Sequence, residues 1–196
     1  MDAPLMSAEA TSAKTASESI EDIEIELLLD AVYRYYHYDF RRYARASIKR
    51  RLLQARKQWG YASVSDIQSA VLRDETILPR LLNFLTVQVS EMFRDPSYFR
   101  ALREKVVPHL RTYPSLKVWV AGCSNGEELY SLSILFAEEG LSDRTMFYAT
   151  DINPAALRAA QSGIYPLDRV RLFTENHRLS GGHGSLSGHY TADYDR

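Results

Sequence analysis

An α/β chain, all-helical in its amino-terminal part and then opening half of a doubly wound parallel sheet, is what the sequence predicts. Three observations predict it. Apolar residues recur at helical spacing through residues 20–86. The pattern then changes to two short β-rich apolar runs, Leu116–Ala121 and Thr145–Thr150, each followed by a helical segment. A tight glycine-bearing loop, residues 122–126, joins the first run to its helix, and Asp151 ends the second, which is the strand, loop, helix, strand, acid, helix order of such a sheet.

Taken in order, residues 1–19 are rich in Ala, Ser and Thr and are expected to be a disordered tail. They lack the basic start and apolar run of a signal peptide, and no later stretch approaches the roughly 20 apolar residues of a membrane span, so no membrane insertion is expected. A helical subdomain is expected over 20–87. Its first helix carries Ile23, Leu27, Leu28 and Val32; Asp39 is the expected N-cap of a second, with Phe40, Ala44, Ile48, Leu52, Ala55 and Trp59 in its stripe and Gly60 closing it. Residues 65–73 and 76–87 continue the helical pattern.

The second domain is expected over 88–196. Asp95 as N-cap and Pro96 at the first helical position open a helix running to Tyr113. Then come the strand 116–121, a helix over 127–139, the strand 145–150, and a helix opened by Asn153-Pro154 and closed by Gly163. From about residue 170 a short helix and the polar run Ser180-Gly181-Gly182-His183-Gly184-Ser185 are expected to begin a small β insertion. Two parallel strands leave faces and edges uncovered, so the sheet is expected to be incomplete and the chain truncated.

The formal net charge of −1 excludes a whole-molecule footprint for nucleic acid. Cys123 is the single cysteine, which excludes an internal disulfide and a cysteine-based zinc site and fits a reducing cytoplasm. His177, His183 and His189 lie in the polar tail without acids at ligand spacing, so no metal is expected there.

Loops at strand ends are where open α/β sheets bind ligands. Here Gly122 gives close backbone approach, while Glu127 and Glu128 stand where a phosphate loop would present bare amides or a lysine. Two carboxylates repel a pyrophosphate and suit a ligand carrying a sulfonium and an ammonium group, S-adenosylmethionine. Asp151 is placed to accept from two ribose hydroxyls. The plainer alternative is that both glutamates only complement a helix dipole, about 0.3–1 kcal/mol each, and that Asp151 is a cap.

Four linked motifs then carry a resemblance: Val89-Ser90-Glu91-Met92-Phe93-Arg94-Asp95; Val118-Trp119 through Gly126-Glu127-Glu128-Leu129-Tyr130-Ser131; Ala149-Thr150-Asp151-Ile152; and Ala160-Gln161-Ser162-Gly163-Ile164-Tyr165. In order and spacing they resemble the CheR chemoreceptor glutamate methyltransferases. The resemblance implies a helical subdomain followed by a Rossmann-like, S-adenosylmethionine-dependent catalytic domain, a cytoplasmic setting, and methyl-accepting chemoreceptor helices as partner. The family's Asn-x-Thr-x-x-x-Arg pattern falls on Gln88, Ser90 and Arg94, with Gln for Asn and Ser for Thr. Ser90 and Arg94 are thereby the implied catalytic pair, and both join Gln88, Gly122, Glu127, Glu128 and Asp151 in the cofactor site. Arg94 would hold a carboxylate, of substrate or cofactor, by paired hydrogen bonds.

The implied reaction is in-line displacement by a glutamate carboxylate on the sulfonium methyl. That nucleophile is already ionised at neutral pH, so no general base is needed and catalysis is mainly positioning. The basic run from Arg41 to Lys57 is the implied docking face for acidic receptor helices, with Arg45, Arg51 and Arg56 as substrate contacts. The bland alternative is a solvated face, or one balanced by the acids of residues 21–26, and a non-catalytic receptor-binding fragment is the alternative function. The truncated sheet is expected to bind cofactor weakly unless a domain-swapped dimer completes it.

Overall fold

The computed structural model describes residues 19–86 and 90–192, so all of the expected 1–19 tail but Ser19, and the candidate Gln88, lie outside the described residues. The chain divides into two compact units, Met1–Asp74 and Glu75–Arg196.

In the first unit, α1 (Ile20–Tyr36) starts at Ser19, whose hydroxyl accepts from the Asp22 N–H, and ends at His37 in the left-handed region. It buries Ile25, Leu28, Leu29 and Val32. The stripe is therefore rotated from the expected one, since Ile23 and Leu27 are exposed. Seven isoleucine, leucine and valine residues crowd this helix, and the face that keeps i, i+3, i+4, i+7 spacing is the one buried.

Helix α2 (Arg45–Trp59) starts later than expected. Asp39 caps no helix: its carboxylate is taken by Arg41, through the backbone N–H at 3.1 Å and the guanidinium at 2.9 Å, which fixes a turn instead. Ile48, Leu52 and Ala55 are buried, and Gly60 closes the helix at φ 75°. Helix α3 (Val64–Arg73) opens with a capping box, the Ser63 hydroxyl accepting from the Asp66 N–H and the Asp66 carboxylate from the Ser63 N–H. The Tyr36 hydroxyl donates to the Val71 carbonyl at 2.7 Å and ties α1 to α3.

The second unit begins with α4 (Ile77–Leu85). The single helix expected from Pro96 is interrupted: α5 (Pro96–Ala101) and α6 (Val107–Leu110) flank a π-type turn, Leu102–Val106. Pro108 explains the wide turn, because it offers no N–H and its ring crowds the carbonyl four residues back. Pro96 does take the first position, but Asp95 is left-handed and its side chain caps nothing.

Strands β1 (Leu116–Ala121) and β2 (Thr145–Thr150) pair in parallel, with Leu116 opposite Thr145 and Ala121 opposite Thr150. Helices α7 (Glu127–Glu138), α8 (Pro154–Ser162) and α9 (Val170–Leu179) complete the unit. Leu116, Val120, Leu135, Phe136, Phe93 and Phe173 belong to one buried cluster. Along β1 and β2 the alternate positions Trp119, Met146 and Tyr148 are exposed. Residues 170–192, where a β insertion was expected to begin, form α9 and a 3-10 turn at Leu186–His189, with no strand among them.

His177 is no part of a loose polar tail. It is buried, with Nε2 2.7 Å from Glu138 Oε1, and the Arg103 guanidinium pairs with both Glu138 and Glu139. Among the described residues no helix is long and apolar enough to cross a membrane, and no cluster suits a metal ion.

Candidate active site

Two loops build the site. The first, residues 90–95, carries Ser90 and Arg94 and is bent by two non-glycine residues in the left-handed region, Phe93 at φ 52° and Asp95 at φ 56°. Such backbone persists only when its surroundings hold it, at about 1–3 kcal/mol each. Here the Phe93 N–H donates to Ser131 Oγ at 2.8 Å, and that hydroxyl donates in turn to the Glu127 carbonyl. The Phe93 ring is fully buried, edge-on to Phe99, so the loop is nailed at Phe93 while Arg94 beside it stays exposed.

The second loop follows β1. The Gly122 and Cys123 N–H groups both donate to the Thr150 carbonyl, at 2.7 and 2.9 Å, which turns the chain off the sheet edge. Gly122 sits at φ 77° with no heavy atom within 4 Å of a Cβ placed there, leaving open space against the backbone. Gly126 is the opposite case: at φ 94° a Cβ would meet Ala160 at 3.0 Å, so this glycine sets the approach of α7 to α8. Asp151 supports the loop from β2, its Oδ2 accepting from the Ser124 N–H at 2.9 Å and its Oδ1 from the Asn153 N–H at 2.8 Å. A carboxylate has about four acceptor directions, so free lone pairs remain on Asp151.

The loops face each other across a cavity of about 360 Å³, lined by Ser90, Arg94, Gly122 and Glu128 among others. Four of the sequence-predicted site residues thus meet in one place, with Asp151 behind the wall at Ser124. Glu91, Asp95 and Tyr98 line it too. None of them was singled out as a site residue in the sequence, although Glu91 and Asp95 belong to the same motif as Arg94. Glu127 does not line the cavity: its side chain is 1% exposed and turned inward, Oε1 accepting from Arg169 at 3.1 Å. Nothing in the sequence marked Arg169.

Cys123 is buried in the second loop, and burial, followed by the Asp151 charge, pushes its thiol above the usual range, which makes it a packing residue and no nucleophile. Tyr165 is likewise raised, by burial and then by the Glu127 charge, so it stays a neutral donor, its hydroxyl donating a hydrogen bond to the Asn125 carbonyl at 2.8 Å.

The basic residues of α2 lie in the other unit, and three of them are engaged with α1. Arg45 pairs with Glu26, Lys49 with Asp22 at 2.9 Å, and Arg56 with Glu21 at 3.0 Å. Lys49 follows Arg45 by four residues and Arg56 follows by seven more, one face of the helix laid against one acidic face. Arg51 is half-buried, whereas Arg42 and Arg50 are exposed.

Comparison with known proteins matches two family models, whose boundary falls after α4 and not before it. Residues 23–86 match the family described as CheR methyltransferase, all-alpha domain, and residues 88–180 match CheR methyltransferase, SAM binding domain. The chain is 54% identical over 178 residues to the putative methyltransferase Cher3 of Pseudomonas putida, which covers 91% of this chain and 65% of that relative. It is 30% identical over 144 residues to the chemotaxis protein methyltransferase of Listeria innocua, covering 72% of this chain and 55% of that relative. A third similar protein is the chemotaxis protein methyltransferase of Borreliella burgdorferi, 32% identical over 103 residues, or 47% of this chain and 36% of that relative. The chain thus spans only part of the length of these relatives. With matches that run through both units and through each site motif, the chain belongs to the CheR methyltransferase family.

Proposed function

We propose that this chain carries the cofactor-binding wall of an S-adenosylmethionine-dependent enzyme that methylates glutamate side chains of chemoreceptors. The observation that carries the reading is the convergence of Ser90, Arg94, Gly122 and Glu128 on one cavity, the first two from one loop and the others from the second loop and the first turn of α7. The residues suit the cofactor. An open backbone at Gly122 admits a flat, bulky group, and a guanidinium and a carboxylate on opposite walls match the carboxylate and ammonium of an amino-acid end. Asp151, with lone pairs to spare, would accept from ribose hydroxyls.

When bound, the cofactor supplies an electrophilic methyl group on a sulfonium, and the overall change forms an oxygen–methyl bond while the sulfur leaves as a neutral thioether. The protein's part is to place a carboxylate in line and to strip some of its water. Arg94 orients an anionic partner through its planar fork, and Glu128 keeps the mouth favourable to positive charge. No side chain has to remove a proton.

The acidic receptor helix is the substrate that the family implies, with the exposed bases of the first unit, Arg42 and Arg50, added to Arg45, Arg51 and Arg56 as contacts. A cytoplasmic setting and a swapped dimer that completes the sheet belong to the same reading. Calorimetric titration with S-adenosylhomocysteine tests its core. Micromolar uptake that weakens at least about tenfold in Arg94→Met, the loss expected for one charge-assisted pair, supports it. No heat from the wild-type chain, fully folded by circular dichroism, would overturn cofactor binding by this chain.

A further inference from the structure

Arg169, in the short turn before α9, ties the first loop of the site to the start of α7 from behind the cavity. One guanidinium nitrogen donates to Glu127 Oε1 at 3.1 Å, at the first residue of α7, and the other donates to the Ser90 carbonyl, at the start of the strained loop. The guanidinium carbon lies 4.9 Å from the Phe173 ring centroid, so the plane of the fork is held as well. Seven residues on, two turns along, Asn176 Nδ2 donates to the Met92 carbonyl at 3.1 Å. The backbone of residues 90–93 is therefore tied at three points, and two of the three ties come from a segment that lines none of the cavity.

We propose that Arg169, assisted by Asn176, is the positioning residue of the site, fixing the Ser90–Arg94 loop against the glycine loop so that Arg94 stands at a set distance from Glu128. The inference rests on the reading of this cavity as a cofactor site. A planar fork bridges two acceptors at a fixed spacing, which the single flexible ammonium of lysine does not reproduce. Glu127 explains why the bridge is permanent: its carboxylate is 1% exposed, and a charge so buried demands a partner. Release of the Ser90 carbonyl would let the left-handed turns at Phe93 and Asp95 relax and carry Arg94 away.

The deciding measurement is hydrogen exchange over residues 90–95 in the wild-type chain, Arg169→Lys and Arg169→Met. Lysine keeps a positive charge beside Glu127, so that variant is expected to fold even where methionine does not. Exchange in this segment should quicken about tenfold in Arg169→Lys, the size of one lost charge-assisted hydrogen bond, with β1 unchanged. Loop exchange within twofold of wild type would overturn the proposal. So would an equal rise in β1 and the loop, or loss of the folded state in Arg169→Lys, because either marks a residue that only stabilises the unit. Titration with S-adenosylhomocysteine runs beside it. An Arg169→Lys, Arg94→Met double variant no weaker than Arg94→Met alone supports action through Arg94, and additive losses oppose it. No uptake by wild type would count against the cofactor reading, while the exchange rates would still decide whether Arg169 holds the loop.

Discussion

Glu138 is the most heavily engaged acid in the second unit. Its side chain is 4% exposed and accepts from His177 Nε2 at 2.7 Å, from the Arg103 guanidinium and from the His183 N–H at 3.2 Å, while His189 lies 3.6 Å away. Gly182 belongs to the same arrangement, since a Cβ there would fall 2.2 Å from His177 Nε2. Burial alone would raise the Glu138 pKa, but the His177 and Arg103 hydrogen bonds outweigh it and the carboxyl lies below its ordinary value of 4.5. A depressed acid binds protons more weakly folded than unfolded, so its contribution is complete above about 4.5 and is lost as pH falls through the lower folded value. Thermal melts from pH 6 to pH 3 should therefore hold level and then drop on the acid side. Glu138→Gln should melt lower throughout with a shallower acid limb, and parallel limbs in the two proteins would assign the acid sensitivity to other carboxyls.

At the scale of elements, Asn153 serves two helices. Its carbonyl oxygen caps α8 by accepting from the Ala155 N–H at 2.9 Å, and its amide nitrogen donates to Asn83 Oδ1 in α4 at 2.7 Å; Asn153 itself is 0% exposed, whereas Asn83 is exposed. Asn153→Ala should cost about 1 kcal/mol for the cap and a further roughly 0.5–1.5 kcal/mol for the lost hydrogen bond to Asn83, whose side chain is left to solvent. Asn153→Asp keeps the cap and loses the donor, so chemical denaturation of the two variants separates the contributions. Equal losses would mean that the cap contributes nothing. The cap at Asn153, both strands and the helix ends at Gly60 and Gly163 were legible in the sequence because the signals are local. Asp39 misled because Arg41, two residues on, captured its carboxylate. The single helix over 96–113 misled because Pro108 widens the turn before it. In the site, Ser90, Arg94, Gly122 and Glu128 were legible as contiguous motifs. The inward turn of Glu127 and the burial of His177 were not, because their partners, Arg169 and Glu138, lie 42 and 39 residues away and meet them only in the fold.

For the whole molecule, the consequential feature is a sheet with one face packed and one bare. Trp119 and Tyr148 are cross-strand neighbours, 69% and 49% exposed, and Met146 beside them is 57% exposed. Three large apolar side chains on one flat surface, next to two strands with unpaired outer edges, make an associating surface. Lys117 is the exposed charge on that face, one position along from Trp119 in the pleat. The chain should therefore self-associate, its mass by light scattering rising with concentration. Replacing Trp119 by Lys and Tyr148 by Glu sets opposite charges across the pair, which the strands tolerate. The only described side-chain bond lost is that from Trp119 Nε1 to Thr150 Oγ1, at an exposed position. The double variant should stay monomeric at concentrations where the parent associates, with its melting temperature within a few degrees of the parent's. Association that persisted in a folded double variant would move the sticky surface away from the sheet.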